Sequence, residues 1–154
     1  MNACRDPATR DLYIHNLRQL RELTNVFMLT IERNVSKIPF GIRYIARQIY
    51  TDLKTRFSQL SEENVFKVVA NFIYYRYLNS AIKAPESWGV VESIPNPKQR
   101  KNLSMVSKML THIAGGKVFG EEDEVLQSLN DYVIHESSRM IAIFKNGTQF
   151  LICD

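Results

Sequence analysis

The side chain in this sequence that most needs a chemical explanation is Arg76, within residues 72–82 (FIYYRYLNSAI). Over residues 65–78 only Lys67, Asn71 and Arg76 are neither apolar nor aromatic. On a helical wheel at 100° per residue, Arg76 falls between Val65, Val69 and Phe72, on the most aliphatic face. An isolated ion buried there is so costly that it must be paired, and a guanidinium suits carboxylate or carbonyl acceptors brought by another element. The alternative is local: near the helix end, Arg76 would satisfy its own helix's last carbonyls and favour the negative end of the dipole.

No other grouping suggests catalysis. His15, His112 and His135 are scattered, and no serine or cysteine stands in a recognisable arrangement with them. His112 has no second histidine or cysteine at ligand spacing and reads as a surface residue. There is no phosphate-cradling glycine loop, nucleophile elbow or metal-ligand cluster, so no cofactor and no metal are expected.

The totals describe a folded chain of one domain. It has 154 residues, 45% of them hydrophobic and 23% charged, with a net charge of +4 and an isoelectric point near 9.1. That balance suits an acidic partner but is too mild to specify nucleic acid. The two cysteines, Cys4 and Cys153, point to neither a disulfide framework nor a zinc site. No apolar run reaches membrane-spanning length and the first residues lack a signal peptide's apolar region, so a cytoplasmic protein without membrane insertion is expected.

Helix signals run through most of the chain. Asp6 and Pro7 read as N-cap and first residue of a helix reaching about Val35, with Tyr13, Leu17, Leu20, Phe27, Met28 and Ile31 inward. After Ile38 and Pro39, Ile38, Ile42, Ile45, Ile49 and Leu53 form a stripe at helical period. Opposite it, Arg43, Arg47, Tyr50 and Lys54 make a basic face, either solvated or a docking face for an acidic protein. Ser61, followed by Glu62 and Glu63, caps the helix that carries Arg76. Asn79 ends that helix, tolerating a left-handed conformation there, and residues 80–96 form a loop.

Asn96 and Pro97 open a further helix that buries Leu103, Val106, Met109, Leu110 and Ile113, with Lys101, Lys108 and His112 on its other side and Gly115 and Gly116 as its stop. A last helix runs from about Glu122 to Arg139, turning Val125, Leu126, Leu129 and Val133 inward. In the tail, Asn146 and Gly147 lie between two short apolar runs, which predicts a short C-terminal β-hairpin. The residues alone therefore predict an all-α domain with basic faces and one buried arginine.

Residues 37–49 (KIPFGIRYIARQI), the arginine-bearing segment and residues 99–110 (QRKNLSMVSKML) together resemble the Ras GTPase-activating domain, most closely its IQGAP branch. The family pattern is Phe-Leu-Arg, two apolar residues, then Asn-Pro-Ala; here it reads Tyr74-Tyr75-Arg76-Tyr77-Leu78-Asn79-Ser80-Ala81, and the double tyrosine is that branch's variant. The likeness extends from about Leu20 to Val133. Ser80 stands where the family has proline, which predicts a loosened loop after Asn79. The tail departs from the family, so residues 1–138 read as a partial RasGAP-like helical domain and 139–154 as a divergent tail, as in a truncated or alternatively spliced product.

The resemblance implies an all-helical multi-helix fold with a groove for a Ras-superfamily small GTPase. Activators in this family insert an arginine finger that accounts for about 10³ to 10⁵ in rate. That finger lies upstream of the motif, before this chain begins, and the Arg76 equivalent is a helper that holds the finger loop. The IQGAP branch generally lacks the finger and binds GTP-loaded Rac- or Cdc42-like GTPases, scaffolding actin regulation at sites such as the cell cortex. The implied role is therefore a GTPase-binding module that is not an enzyme, with Tyr74, Tyr75, Arg76 and Asn79 as groove floor and Arg43, Arg47, Lys101 and Lys108 at its flanks. The alternative is a fragment of a true activator whose finger lies upstream.

Overall fold

Asp6 begins the described part of the structure, a computed structural model that describes residues 6–149. Its carboxylate accepts the Thr9 N–H at 3.0 Å and caps α1 (Pro7–Asn34), whose first residue is a proline that needs no intrahelical donor. Pro39 precedes α2 (Phe40–Arg56), and Ser61 caps α3 (Glu62–Ile73) by accepting from Asn64 N–H. The chain then passes through a π-helical turn (Tyr74–Leu78) straight into α4 (Asn79–Lys83). α5 (Pro97–Gly115) opens on a reciprocal capping box between Asn96 and Gln99 and ends at Gly116, whose φ of 62° lies in the left-handed region that favours glycine. α6 spans Asn130–Gln149.

α3 is the central rod. Val69, Ala70 and Ile73 are buried from it in one core with Met109, Leu110 and Ile113 of α5, Val133, Met140 and Phe144 of α6, and Ala46 of α2. Among the described residues every regular element is helical.

Four expectations are corrected. The hairpin does not form: Asn146 and Gly147 lie inside α6, which runs unbroken through Ser138 and Arg139. Val133, Met140, Ile143 and Phe144 follow helical spacing and are all buried. Burying that face outweighs a local turn preference and a marginal two-stranded ribbon. The far end of the proposed hairpin, from Phe150, lies outside the described residues, as do Cys4 and Cys153. A substitution separates the two structures, because Gly147→Ala should stabilise a helix by about 0.5 kcal/mol yet weaken an Asn-Gly turn. A rise in the denaturation midpoint is expected, and a fall would favour the hairpin.

Second, α6 starts eight residues later than Glu122. The intervening chain forms two short 3₁₀ turns held by tertiary bonds. The Asn130 side chain accepts the N–H of buried Phe119 at 2.8 Å and donates to its carbonyl at 3.1 Å, and Lys108 pairs with Asp123. Val125 is exposed rather than inward, while Leu126 and Leu129 are buried. Third, the buried face of α2, which packs on α3, centres on Ala46, the one fully buried residue of that helix. Ile45 is consequently exposed, Arg43 and Arg47 are half-buried, and Tyr50 packs on Phe66 with ring centres 5.0 Å apart. Fourth, the loosened loop after Asn79 is absent. Residues 79–83 are helical, and the Ser80 carbonyl accepts Ala84 N–H at 3.0 Å.

A paired, part-buried arginine does occur, but on α6. Arg139 donates to the buried carboxylate of Glu136 at 3.1 Å and to Glu32 of α1 at 2.5 Å, with Asn25 at 3.3 Å. These bonds tie α1 to α6 and satisfy a charge that burial would otherwise penalise.

Beside them, burial and the Glu136 carboxylate push the Tyr132 phenol up to about 12. An unfolded tyrosine ionises near 10, so between about pH 10 and 12 the unfolded chain holds fewer protons than the folded one. The phenol's contribution to stability is complete below pH 10 and is lost as pH rises. Tyr132→Phe is expected to remove that part of the alkaline decline in denaturation midpoints, and an unaltered slope would contradict the assignment.

Candidate functional site

The candidate site grows out of the π-helical turn. Its defining bond joins the Asn79 N–H to the Tyr74 carbonyl, five residues back. In a regular α-helix residues five apart stand about 140° from one another. Widening the turn makes each residue advance by less than 100°, so Tyr74 and Asn79 come onto one side, facing α5.

There they meet Ser107. The fully buried Tyr74 hydroxyl donates to the Ser107 carbonyl at 2.9 Å and lies 3.3 Å from the Asn79 side-chain oxygen. The Ser107 hydroxyl donates to that same oxygen at 2.5 Å, and the Ser107 carbonyl also accepts from Thr111 at 2.8 Å. Burial pushes the Tyr74 phenol above its ordinary range, partly offset by its bond to Ser107. Two side chains of the expected groove floor are thus structural anchors beneath the surface.

The same widening takes Arg76 the other way, which corrects the expectation of a buried arginine. The buried face of α3 runs through Val69, Ala70, Ile73 and Tyr74, so the wheel angle of Arg76 already lay at its edge, and the slower advance through the turn carries it into solvent. Arg76 and Tyr75 are both exposed, and the guanidinium lies 5.7 Å from the Tyr75 ring centre. Among the described residues Arg76 makes no ion pair or hydrogen bond. Asn79, at φ −59°, is right-handed and buried, and so is not a left-handed cap.

The flanking cations are distributed over two elements. Arg43 and Arg47 stand on α2, and the Arg43 Nε is buried without a hydrogen-bond partner among the described residues. On α5, Lys108 is held by Asp123, and exposed Lys101 lines a cleft against α1. Among the described residues no hydrogen bond, ion pair or ring contact links these four cations to the Tyr75–Arg76 pair. Ser107 is the site residue that sequence reading missed. Its signal was present, since Leu103, Val106, Ser107 and Leu110 share one helical face, and a hydroxyl on a buried face requires a partner.

No group of three or more histidine, cysteine or acidic side chains poised to hold a metal occurs among the described residues, and none of their helices is long and apolar enough to cross a membrane.

The sequence model of the family described as "GTPase-activator protein for Ras-like GTPase" matches residues 2–115. The chain is 34% identical over 131 residues to the Ras GTPase-activating-like protein IQGAP2 of Mus musculus, covering 82% of this chain and 8% of that protein. It is 37% identical over 121 residues to IQGAP3 of Homo sapiens, covering 76% of this chain and 7% of that protein. It is 32% identical over 111 residues to rng2 of Schizosaccharomyces pombe, covering 72% and 8%. The chain thus spans less than a tenth of each of these relatives. With its helical fold and its Tyr-Tyr-Arg turn, the chain belongs to the Ras GTPase-activator domain family, in its IQGAP-like branch.

Proposed function

We propose that this chain binds a Ras-superfamily small GTPase, preferring the GTP-loaded state of Rac- or Cdc42-like members, and does not itself accelerate hydrolysis. The observation that carries this reading is the Tyr75–Arg76 pair, solvent-facing and without an acceptor among the described residues, on a turn whose other side is fixed by Tyr74, Asn79 and Ser107. An arginine stacked near a tyrosine supplies planar donors and apolar area together, a combination that concentrates binding energy at protein interfaces. Arg43, Arg47, Lys101 and Lys108 supply flanking positive charge that steers an acidic partner. Lys108 would exchange Asp123 for the partner's carboxylate. In a parent protein of the IQGAP type such binding would serve an actin-regulating scaffold at the cytoplasmic cortex.

None of these residues is placed as a finger, so the module is assigned no catalytic step. Titration of the chain with Rac and Cdc42, each loaded with GDP or a non-hydrolysable GTP analogue, is expected to show tighter binding of the GTP state. A single-turnover hydrolysis assay is expected to run at the intrinsic rate. Acceleration approaching the 10³-fold scale of a finger would identify an activator instead, and binding to neither state would overturn the proposal.

A further inference from the structure

Two depressions lie end to end between α1 and α5, one of about 600 Å³ and one of about 550 Å³, and they share Leu23 and Asn102. Along α1 the lining runs from Tyr13 to Phe27, a length of about 21 Å at 1.5 Å per residue. The floor is apolar, with Leu20 and Leu23 of α1 facing Leu103 and Val106 of α5 and Ile82 of α4 closing one side. Leu23, Val90 and Val91 along it are exposed. A continuous apolar trough of this kind marks a binding surface more often than bare solvent-facing skin.

Its charge is one-sided. Among the described residues Lys98 and Lys101 are the only charged side chains lining either depression, and no carboxylate of these residues lines them. Both lysines are exposed and make no ion pair among the described residues. They stand at the beginning of α5, whose first turn holds no acidic residue, so the positive end of the helix dipole adds to their field. The Tyr13–Leu23 half of an apolar, four-turn trough therefore carries positive charge with no lining carboxylate to offset it.

We infer that this trough receives an amphipathic helix of a partner protein, with apolar residues at i, i+3, i+4 and i+7 lying on the floor and its acidic, carboxyl-terminal half in the depression lined by Lys98 and Lys101. The length fits about fourteen helical residues, and the partner's own dipole places its negative end on the lysines. Tyr75 and Arg76 take no part and Lys101 alone is shared with the proposed GTPase flank, so the inference does not rest on GTPase binding, and Arg76→Glu is expected to leave peptide affinity unchanged.

The test measures fluorescence anisotropy of a labelled sixteen-residue peptide with that apolar pattern and glutamates toward its C-terminus. A second peptide carries lysines in place of the glutamates, and a third has the acidic composition scrambled. The acidic peptide is expected to bind at least tenfold tighter than either. The surface variant Lys98→Glu with Lys101→Glu is expected to reverse the preference, and Leu23→Arg to abolish binding with helix content retained. Equal affinity for all three peptides, no binding, or a preference that survives the charge reversal would overturn the inference. So would a dimer in sedimentation equilibrium that Leu23→Arg dissolves, because a second copy would then own the trough.

Discussion

Tyr74→Ala is expected to lower the free energy of unfolding by about 3–5 kcal/mol, the range for removing a large aromatic side chain from a packed core. Tyr74 is among the largest fully buried side chains and sits where α3, the wide turn and α5 meet. Packing and hydrogen bonding can be separated. Tyr74→Phe keeps the ring and leaves the Ser107 carbonyl with its Thr111 partner, so it should cost only about 1 kcal/mol. Asn79→Ala should cost about 1–3 kcal/mol, since it leaves the Ser107 hydroxyl buried without its acceptor. Because the three side chains form one network, Tyr74→Phe and Asn79→Ala should not add in a double-mutant cycle. Chemical denaturation reads all of these, and a Tyr74→Ala cost below 1 kcal/mol would mean that the turn is fixed by something else.

The turn matters because it converts an awkward sequence into an ordered surface. An arginine two residues after a buried tyrosine would sit at the edge of the core in a regular helix, where desolvation opposes it. Opening the helix by one residue moves the charge into water and lets Asn79 join Tyr74 inside. The strain of a π-turn is offset by the hydrogen bonds among Tyr74, Asn79 and Ser107, which explains how a rare geometry persists here.

The beginnings of α1, α3 and α5 were legible in the sequence because caps are local chemistry. Asp6 with Pro7, Ser61 with its acidic first turn, and Asn96 with Pro97 act within three or four residues, and each stands where its type demands. Gly116 was legible for the same reason at the other end of a helix. What escaped reading was decided at a distance. The π-turn depends on Ser107, 28 residues after Asn79, and a wheel drawn at a fixed 100° cannot show a change of pitch. The Asn146-Gly147 pair looked like a hairpin because the burial of Met140, Ile143 and Phe144 on α3 and α5 is invisible to a local window. The start of α6 was misread because Asn130 is committed to Phe119 and Asp123 to Lys108. The residue types of the candidate site were legible from the Tyr-Tyr-Arg motif, but their division into buried anchors and exposed contacts was not.

The second large effect concerns binding. Arg76 has no hydrogen-bond or ion-pair partner among the described residues and touches only the exposed Tyr75 ring, so reversing its charge should change stability by no more than about 0.5 kcal/mol, as for surface substitutions generally. At the centre of an interface the same change replaces an attractive contact with a repulsive one facing an acidic partner, and a loss of tenfold or more is expected. Tyr75→Ala should weaken binding in the same direction while also leaving stability unchanged, since its ring lies outside the core.

The decisive comparison is Arg76→Glu against the unaltered chain, with affinity for a GTP-loaded small GTPase and thermal midpoint measured on the same preparation. A binding loss of at least tenfold with an unmoved midpoint is the predicted result. Undiminished affinity would contradict the account, and so would a midpoint that falls as far as that of Tyr74→Ala, because Arg76 would then be a support of the fold rather than its point of contact.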